Sequence, residues 1–426
     1  MLKRKPRIEI AMINRMIQTV LVIIVFMPSM VSGAVMHNVP DNEACNFESK
    51  IAEISVFLKR YPSNRTAKES LVIASIQHAL QLNEAGQNDR AIEVLENAES
   101  YNASIFQLHM FLAKLYFDRG DLLDAKKHIS IALLIKPEDP YLLRFNARIM
   151  YLLEEYTHAL NSYTLLVENG AIMPDMDEFS ILQKEMNRAE TYLKLVRHPF
   201  VIHYSDETFA SQAELIGNEL ISTYLKLCAW MKFTASHDIP VYLYTASQFK
   251  DFSRDSHSVG VYDGKIRILV GGRANDDIRV TAAHELTHHV LAYASRNAIP
   301  FWLNEGLAQY VSGECEPNKI LKKFHDEPSI LDLHTLETDV VHNYTHNKLQ
   351  TAYIQSYIAV KYLIETYGEE IIVEILDGLS KGSAVEDVIK DVTLMDYTEL
   401  SQEIKLFALT IQNENNRRLA MNSVKR

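Results

Sequence analysis

The first half of the chain repeats its small and apolar positions with a period of 34 residues. The sets that keep this spacing are Ala79, Ala113 and Ala147; Ala91, Ala125 and Ala159; and Leu95, Ile129 and Tyr163. Small side chains at fixed positions let two helices approach closely, and the larger residue fills the gap between units. The pattern predicts about three helical hairpins over residues 72–172, with helical segments 47–60 and 177–196 as caps. An ordinary helical bundle is the alternative, which the shared period disfavours.

The pattern changes after Pro199 to short runs with the alternation of β-strands, mixed with amphipathic helices. The predicted segments are strand Phe200–Tyr204, helix Thr208–Met231, strand Ile239–Tyr244, strands Val259–Tyr262 and Lys265–Val270, and a helix from about Asp276 to Ala294. Asp263-Gly264 joins two of these strands as a two-residue turn that accepts positive φ. The order predicts an α+β domain that follows an all-α repeat domain.

The composition is that of a folded globular chain. Of the 426 residues, 47% are hydrophobic and 23% are charged, and the length suits more than one domain. The net charge of −12 comes without a compensating basic stripe, so we do not expect nucleic acid as a partner. The three cysteines, Cys45, Cys228 and Cys315, are too few and too far apart for a disulfide scaffold.

Residues 1–34 have the layout of a secretory signal peptide. A positively charged start precedes the apolar run Met16–Met27, and Ser32, Gly33 and Ala34 supply small side chains for cleavage after Ala34. The apolar run is shorter than the roughly 20 residues that span a bilayer. We therefore expect an exported protein, periplasmic or secreted, with no stable membrane span after cleavage. An uncleaved N-terminal anchor is the alternative.

The predicted helix that ends at Ala294 contains the sequence HELTH, in which His284 and His288 are four residues apart. Residues at this spacing differ by only about 40° around a helix, so both imidazoles face one side and can bind one Zn²⁺. Glu285 lies beside that face, where it can reach a water molecule without being a ligand. A helix with two surface histidines is the alternative interpretation of the motif alone.

Glu305 supplies the third predicted ligand. It follows His288 in the segment PFWLNEGLA, where Pro300 breaks the chain and a second helix begins. Two imidazoles and one carboxylate leave one tetrahedral position open, which is the arrangement of a catalytic zinc site. Neighbouring Asn304 is predicted to orient Glu305 from the outer shell. His289 is rotated about 100° from His288, so it does not reach the same metal, and we expect it in the outer shell or at the surface.

These segments resemble the gluzincin metallopeptidases, and more narrowly the peptidase MA-like domains that occur beside tetratricopeptide repeats, which the first half resembles. The matching segments are FVIHY, IPVYLY, GVYDGKIRI, AAHELTHHVL, IPFWLNEGLAQY and TAYIQS, in family order. The resemblance implies a zincin-like domain over residues 198–420 after a tetratricopeptide-like domain over residues 45–196. It implies one Zn²⁺ per chain and a peptide or protein substrate. The glycine-rich motif of zinc aminopeptidases is not found, which favours an endopeptidase.

Chemistry and the family comparison together define the expected roles. Glu285 would take a proton from water and deliver it to the leaving amine. The family comparison points to Tyr353 as the oxyanion donor, with packing in a helix as the alternative. It also implies that the strand Lys265–Val270 holds an extended substrate by strand addition. Thermolysin-like enzymes carry an Asp where this chain has Gln309, so the carboxylate that orients a histidine is not identified.

A binding role competes with the enzyme hypothesis. Helical repeats present a concave surface that suits a protein or peptide partner, and the zincin domain could be catalytically idle. The complete set of His284, Glu285, His288 and Glu305 favours the enzyme, because an idle domain has no need of the base.

Overall fold

A computed structural model describes residues 46–102, 104–170, 176–252, 259–271, 278–314, 331–338 and 346–424. Residues Phe47–Arg426 form one compact unit. The predicted signal peptide, residues 1–34, lies outside the described residues. Within the described ranges, no helix has the length and apolar character needed to cross a membrane.

The first half consists of helices that pack against their neighbours in sequence. These are α1 (Phe47–Arg60), α2 (Arg65–Glu84), α3 (Asn88–Glu99), α4 (Phe106–Arg119), α5 (Leu122–Ile135), α6 (Pro140–Leu152), α7 (Tyr156–Glu168) and α8 (Met176–Thr191). The residues that define the 34-residue period are all buried between these helices. The predicted helical hairpins are therefore present, and the tetratricopeptide assignment remains a prediction.

The turns inside the three hairpins share the same period and a left-handed backbone. Gly86, Gly120 and Glu154 have φ values of 70°, 88° and 60°. Each turn touches the second half of the chain: Gly86 at Lys381, Gly120 at Tyr293 and Glu154 at Tyr242. A Cβ atom on Gly120 would lie 1.9 Å from the Tyr293 ring, so this contact requires glycine. One edge of the repeat segment is thus used for docking within the chain.

The predicted cap over residues 177–196 is only partly helical. Helix α8 ends at Thr191, and β1 (Leu193–Arg197) follows as a strand. This strand pairs antiparallel with the next one, and Leu195 lies opposite Ile202. The alternating side chains of the LKLVR segment suit this pairing, so tertiary hydrogen bonding replaces the helix that we predicted. The sheet therefore begins before residue 198.

In the described part of the chain, one mixed sheet has the strand order β1-β2-β3-β5-β4. The further strands are β2 (Phe200–Tyr204), β3 (Ile239–Tyr244), β4 (Gly260–Tyr262) and β5 (Ile266–Leu269). The neighbours β2, β3 and β5 are parallel, whereas β1 and β4 are antiparallel to the strands beside them. The predicted strands are present, with a shorter hairpin than expected.

Most helices of the second half cover one face of this sheet or extend away from it, whereas the short helix Ala246–Phe249 packs Phe249 with Tyr242 and Tyr244 on the other face. They are α9 (Ala210–Met231), α10 (Ala246–Phe249), α11 (Ile278–Ala294), α12 (Phe301–Ser312), α13 (Leu333–Thr338), α14 (His346–Tyr367), α15 (Glu370–Ser380), α16 (Val385–Thr393) and α17 (Tyr397–Val424). Ile202, Val241 and Ile266 share a register position and belong to the apolar core with α9 and α11. The described chain is thus mostly helical around a small mixed sheet.

Candidate metal centre

Helix α11 carries the HELTH sequence, and its core-facing residues fix the helix against the sheet. Ala282, Leu286 and Val290 are fully buried in the apolar core. The rings of His284 and His288 therefore project from the same side, with their centroids 4.7 Å apart. Their side chains keep small exposed fractions of 16% and 11%, so the centre is accessible without being a surface feature.

Helix α12 brings Glu305 to the two histidines. Its start is anchored by Trp302, which is fully buried and whose Nε1 donates to the Tyr397 hydroxyl at 2.6 Å. Glu305 Oε2 lies 3.6 Å from His284 Nε2 and 3.7 Å from His288 Nε2. One ligand atom from each of these three residues lies within 4.8 Å of the others. The structure thus brings together the three residues that the spacing predicts as ligands.

The other ring nitrogens of both histidines have polar neighbours. His288 Nδ1 donates to Asn304 Oδ1 at 2.9 Å. His284 Nδ1 lies 3.0 Å from Glu314 Oε2. These contacts direct both Nε2 atoms toward Glu305, which is the usual way in which an outer shell orients metal-binding imidazoles. Asn304 was predicted to orient Glu305, and the structure instead places its side-chain oxygen on His288.

Glu314 is the carboxylate that sequence reasoning missed. It follows Gly313, which ends α12 with φ at 69° and lets the chain turn back. The position that holds an Asp in thermolysin-like enzymes, Gln309, has another role here. Its Nε2 donates to the main-chain oxygen of Tyr353 at 3.1 Å and so links α12 to α14. A glycine directly before a carboxylate at the helix end was the only local signal for Glu314.

Close backbone packing sets the distance between α12 and α14. A Cβ atom on Gly306 would lie 2.3 Å from the carbonyl oxygen of Ser356. Only glycine permits this approach directly after Glu305. The glycine of the WLNEG segment therefore helps to hold the Glu305 carboxylate against the histidines.

Glu285 faces the outer strand β4. A Cβ atom on Gly260 would lie 2.4 Å from Glu285 Oε1, so the absence of a side chain at this position makes room for the carboxyl. Burial, reinforced by the charges of Glu305 and Glu314, raises the pKa of Glu285 to about 8. Such a carboxyl has the high proton affinity expected of a general base near neutral pH.

The charges around the histidines favour a cation. Burial alone would lower the pKa of His284, but the carboxylates of Glu305 and Glu314 raise it well above its ordinary value. Burial lowers the pKa of His288. Burial would raise the pKa of Glu305, yet His288 and His284 hold it below its ordinary value. Two carboxylates thus stabilise positive charge at this point.

The structure also places two further residues that the sequence singled out, Tyr353 and His289. The half-buried ring of Tyr353 packs on Phe301, one helical turn before Glu305, with ring centroids 5.7 Å apart. His289 is buried among aromatic rings, including Tyr262 and Tyr293, and burial lowers its pKa to about 3. His289 is therefore a neutral packing residue rather than a surface one.

The strand beside the centre is β4 rather than β5. We expected the Lys265–Val270 strand to be the site of strand addition, but β5 lies between β3 and β4. Among the strands of the described residues, the outer one on this side of the sheet is β4, which pairs antiparallel with β5 and places Gly260 against Glu285. The order of two strands in a hairpin relative to the sheet depends on tertiary pairing, so the alternation pattern could not reveal it.

Comparison with known proteins agrees with this geometry. Residues 224–409 match the family model of the Peptidase MA superfamily, which supports a zincin-like peptidase domain in this part of the chain. Proteins of this superfamily are typically metal-dependent. A search among curated proteins finds no match to the chain.

The residues present fit a zinc ion. Two imidazole nitrogens and one carboxylate oxygen form a donor set that Zn²⁺ prefers, and the polar neighbours at Nδ1 leave the Nε2 atoms for the metal. His284, His288 and Glu305 would hold the ion.

Proposed function

We propose that this protein is an exported zinc-dependent endopeptidase. The observation that carries the proposal is the convergence of His284, His288 and Glu305 beside the buried carboxyl of Glu285. The match of residues 224–409 to the Peptidase MA superfamily supports a peptide or protein as the substrate. Export rests on the signal-peptide layout of residues 1–34.

The chain's own groups would divide the reaction into proton transfer, positioning and substrate binding. A zinc ion supplies Lewis-acid chemistry and makes water more acidic. Glu285 accepts the proton of the attacking water and passes it to the nitrogen of the leaving amine. Asn304 and Glu314 keep the two imidazoles in place. The β4 strand presents its backbone next to Glu285, where an extended substrate could add as a further strand.

The repeat segment is proposed to bind a protein or peptide partner. Helical repeats offer extended concave surfaces, and docking in this chain uses the turns at Gly86, Gly120 and Glu154. The candidate surface for the partner consists of the helix faces that point away from these turns.

Replacing Glu285 by Gln tests the proposed function directly. We expect Glu285→Gln to keep the bound metal and lower the rate by about 10²–10⁴, because the variant cannot accept the proton. Hydrolysis of casein and of a peptide library, with metal content by mass spectrometry, measures both effects. Glu374→Gln on α15, which is exposed, is the matched control and should leave both unchanged.

Wild-type protein that binds metal but hydrolyses none of these substrates would contradict the enzyme and favour a non-catalytic binding protein. Glu285→Gln with wild-type rates would show that another group is the base. His288→Ala should lose the metal of this centre, because two ligands remain of three.

Tyr353 is proposed as the donor that stabilises the oxyanion. The support for this proposal is that its ring packs on Phe301, the first residue of the helix that carries Glu305. Tyr353→Phe should retain metal and stability but lower kcat by about 10²–10³, the range for one lost oxyanion donor. If Tyr353→Phe lowered the free energy of unfolding together with kcat, the ring would be assigned to packing against Phe301. An unchanged kcat would exclude Tyr353 as the oxyanion donor.

A further inference from the structure

A second group of two histidines and one glutamate lies inside the repeat segment, where the first hairpin meets the middle one. His109 on α4 and His128 on α5 are fully buried, and their Nδ1 atoms are 3.1 Å apart. Glu99, the last residue of α3, places Oε1 3.8 Å from His109 Nδ1. One ligand atom from each residue lies within 4.8 Å of the other two. These three residues are called the repeat cluster below.

The repeats themselves show that helix packing does not require these imidazoles. At the two positions, the neighbouring hairpins carry Ser75 and Leu143 in place of His109, and Val94 and Ser162 in place of His128. Ser75, Leu143 and Ser162 are buried, so small or apolar side chains fill equivalent places in the same architecture. In the middle hairpin the two imidazoles instead contact each other through their Nδ1 atoms, so they occupy these places as a pair. Helix packing alone therefore does not explain the two histidines of the middle hairpin.

The two Nδ1 atoms lie within hydrogen-bond distance of each other, and the separations of the ligand atoms also fit a metal ion. Ligand atoms on a tetrahedral zinc ion lie about 3.3 Å from each other, given bonds of about 2.0 Å, and the observed separations of 3.1 and 3.8 Å are close to this. The ring of His128 is stacked on Tyr116, with centroids 5.5 Å apart, which fixes its orientation. Glu99 keeps 28% of its side chain exposed and provides a route from solvent.

We propose that the repeat cluster is a second metal site that binds Zn²⁺ through His109, His128 and Glu99. The donor set of two nitrogens and one oxygen suits Zn²⁺ among the common divalent ions. The ligands come from three consecutive helices, so the ion would join α3, α4 and α5 and stabilise the middle hairpin. The proposal does not depend on the endopeptidase function.

The experiment uses the full chain with His284→Ala and His288→Ala, which remove two of the three predicted ligands of the first centre. After chelation and titration with Zn²⁺, this background should bind one equivalent per chain and show a Tm that rises with Zn²⁺ concentration. Adding His109→Leu and His128→Ser, the residues of the next hairpin, should abolish both effects. His158→Ala, at an exposed position on α7, should preserve them.

Glu99→Gln provides a second variant that leaves the buried imidazoles in place. It should weaken Zn²⁺ binding at least about tenfold, since one charged ligand is lost, and circular dichroism should stay helical. The proposal fails if the background protein binds no Zn²⁺ and its Tm does not respond. It also fails if the equivalent persists after His109→Leu and His128→Ser. Either failure says nothing about the first centre, because two of its ligands are removed from all these proteins.

Discussion

The two faces of the sheet are both buried, but they are buried in different ways. The face toward α9 and α11 is apolar, with Ile202, Val241 and Ile266 in one register position. The face toward α6, α7 and α8 is polar, with His203, Tyr242 and Arg267 in the next one. The first face supports the helix of the metal centre, and the second joins the sheet to the repeat segment.

Charge is concentrated on the repeat-facing side. Lys265, directly before β5, and Arg267 of β5 are fully buried, and both bind the carboxylate of Glu185 on α8. Lys265 Nζ lies 2.9 Å from Glu185 Oε2 and donates to the Tyr156 hydroxyl at 2.8 Å. Arg267 also donates to the hydroxyl of Tyr151 at 2.8 Å. Lys265 and Arg267 thus both have partners on the repeat segment, and the face of the sheet that carries them is called the ionic face below.

Glu154 contacts the polar face from an unfavourable backbone conformation. It occupies the turn position where the other hairpins have glycine, and its φ of 60° is unfavourable for a residue with a Cβ atom. Its carboxylate accepts from the Tyr242 hydroxyl and lies 3.1 Å from His203 Nε2. These contacts compensate for the backbone conformation.

The two faces are expected to respond differently to substitution. Apolar packing tolerates exchange among side chains of similar volume, whereas a buried charge without its partner is strongly destabilising. We infer that the ionic face determines how the repeat segment docks on the sheet, and that the apolar face determines how α11 presents the histidines. Substitutions on the two faces should therefore have different consequences.

The largest effect is expected from Glu185→Gln. The change leaves Lys265 and Arg267 buried without their common counter-charge and should lower the free energy of unfolding by about 3–5 kcal/mol. Urea denaturation of the full chain measures this loss. Glu190→Gln, at an exposed position on the same helix, is the control and should change stability by less than about 0.5 kcal/mol. Equal effects of both variants would show that the ionic face does not hold the segments together.

Acid should weaken the ionic face next most strongly. Burial opposes ionisation, but Arg267 and Lys265 hold the pKa of Glu185 at about 2, and His203, Lys265 and Tyr242 do the same for Glu154. A carboxyl with a lowered pKa in the folded state stabilises the protein above its unfolded pKa of about 4.3. That contribution disappears as the pH falls through about 2.

Urea denaturation between pH 6 and pH 3 measures this loss, and Glu185→Gln is the control. Wild-type protein should lose stability over this range, and the variant should lose less because one of the two carboxyls is gone. Parallel curves for the two proteins would contradict the assignment to Glu185.

The smallest effect is expected on the apolar face, and it should change activity rather than stability. Gly260→Ala places a Cβ atom against Glu285 Oε1 and Thr281, so the carboxyl must move. We expect kcat/KM to fall about tenfold or more while the free energy of unfolding changes by about 1 kcal/mol or less. The control is Gly378→Ala on α15, which crowds Val388 instead and should leave activity per folded molecule unchanged. If Gly260→Ala lowered the free energy of unfolding but not kcat/KM, the expected difference between the two faces would be contradicted.

The elements were largely predictable because their signals are local. The 34-residue period indicated the helical hairpins, and the alternation in IPVYLY and in KIRIL indicated strands. The strand Leu193–Arg197 was not predicted, because its five residues also fit a helical pattern and only pairing with β2 decides between the two. The ligand pair His284 and His288 was predictable for the same local reason, since a single helix sets its spacing.

The sequence by itself determined most of the elements, the helical face shared by His284 and His288, and the alternation of two faces along the strands. Only the tertiary structure decided that Glu314 reaches His284, that β4 is the outer strand, and that the polar face is buried. The alternation of Lys265 and Arg267 with apolar neighbours is what a solvent-facing strand surface would also show. The reason is physical: periodicity follows from the geometry of one element. Burial of a charge depends on partners such as Glu185 that are distant in sequence.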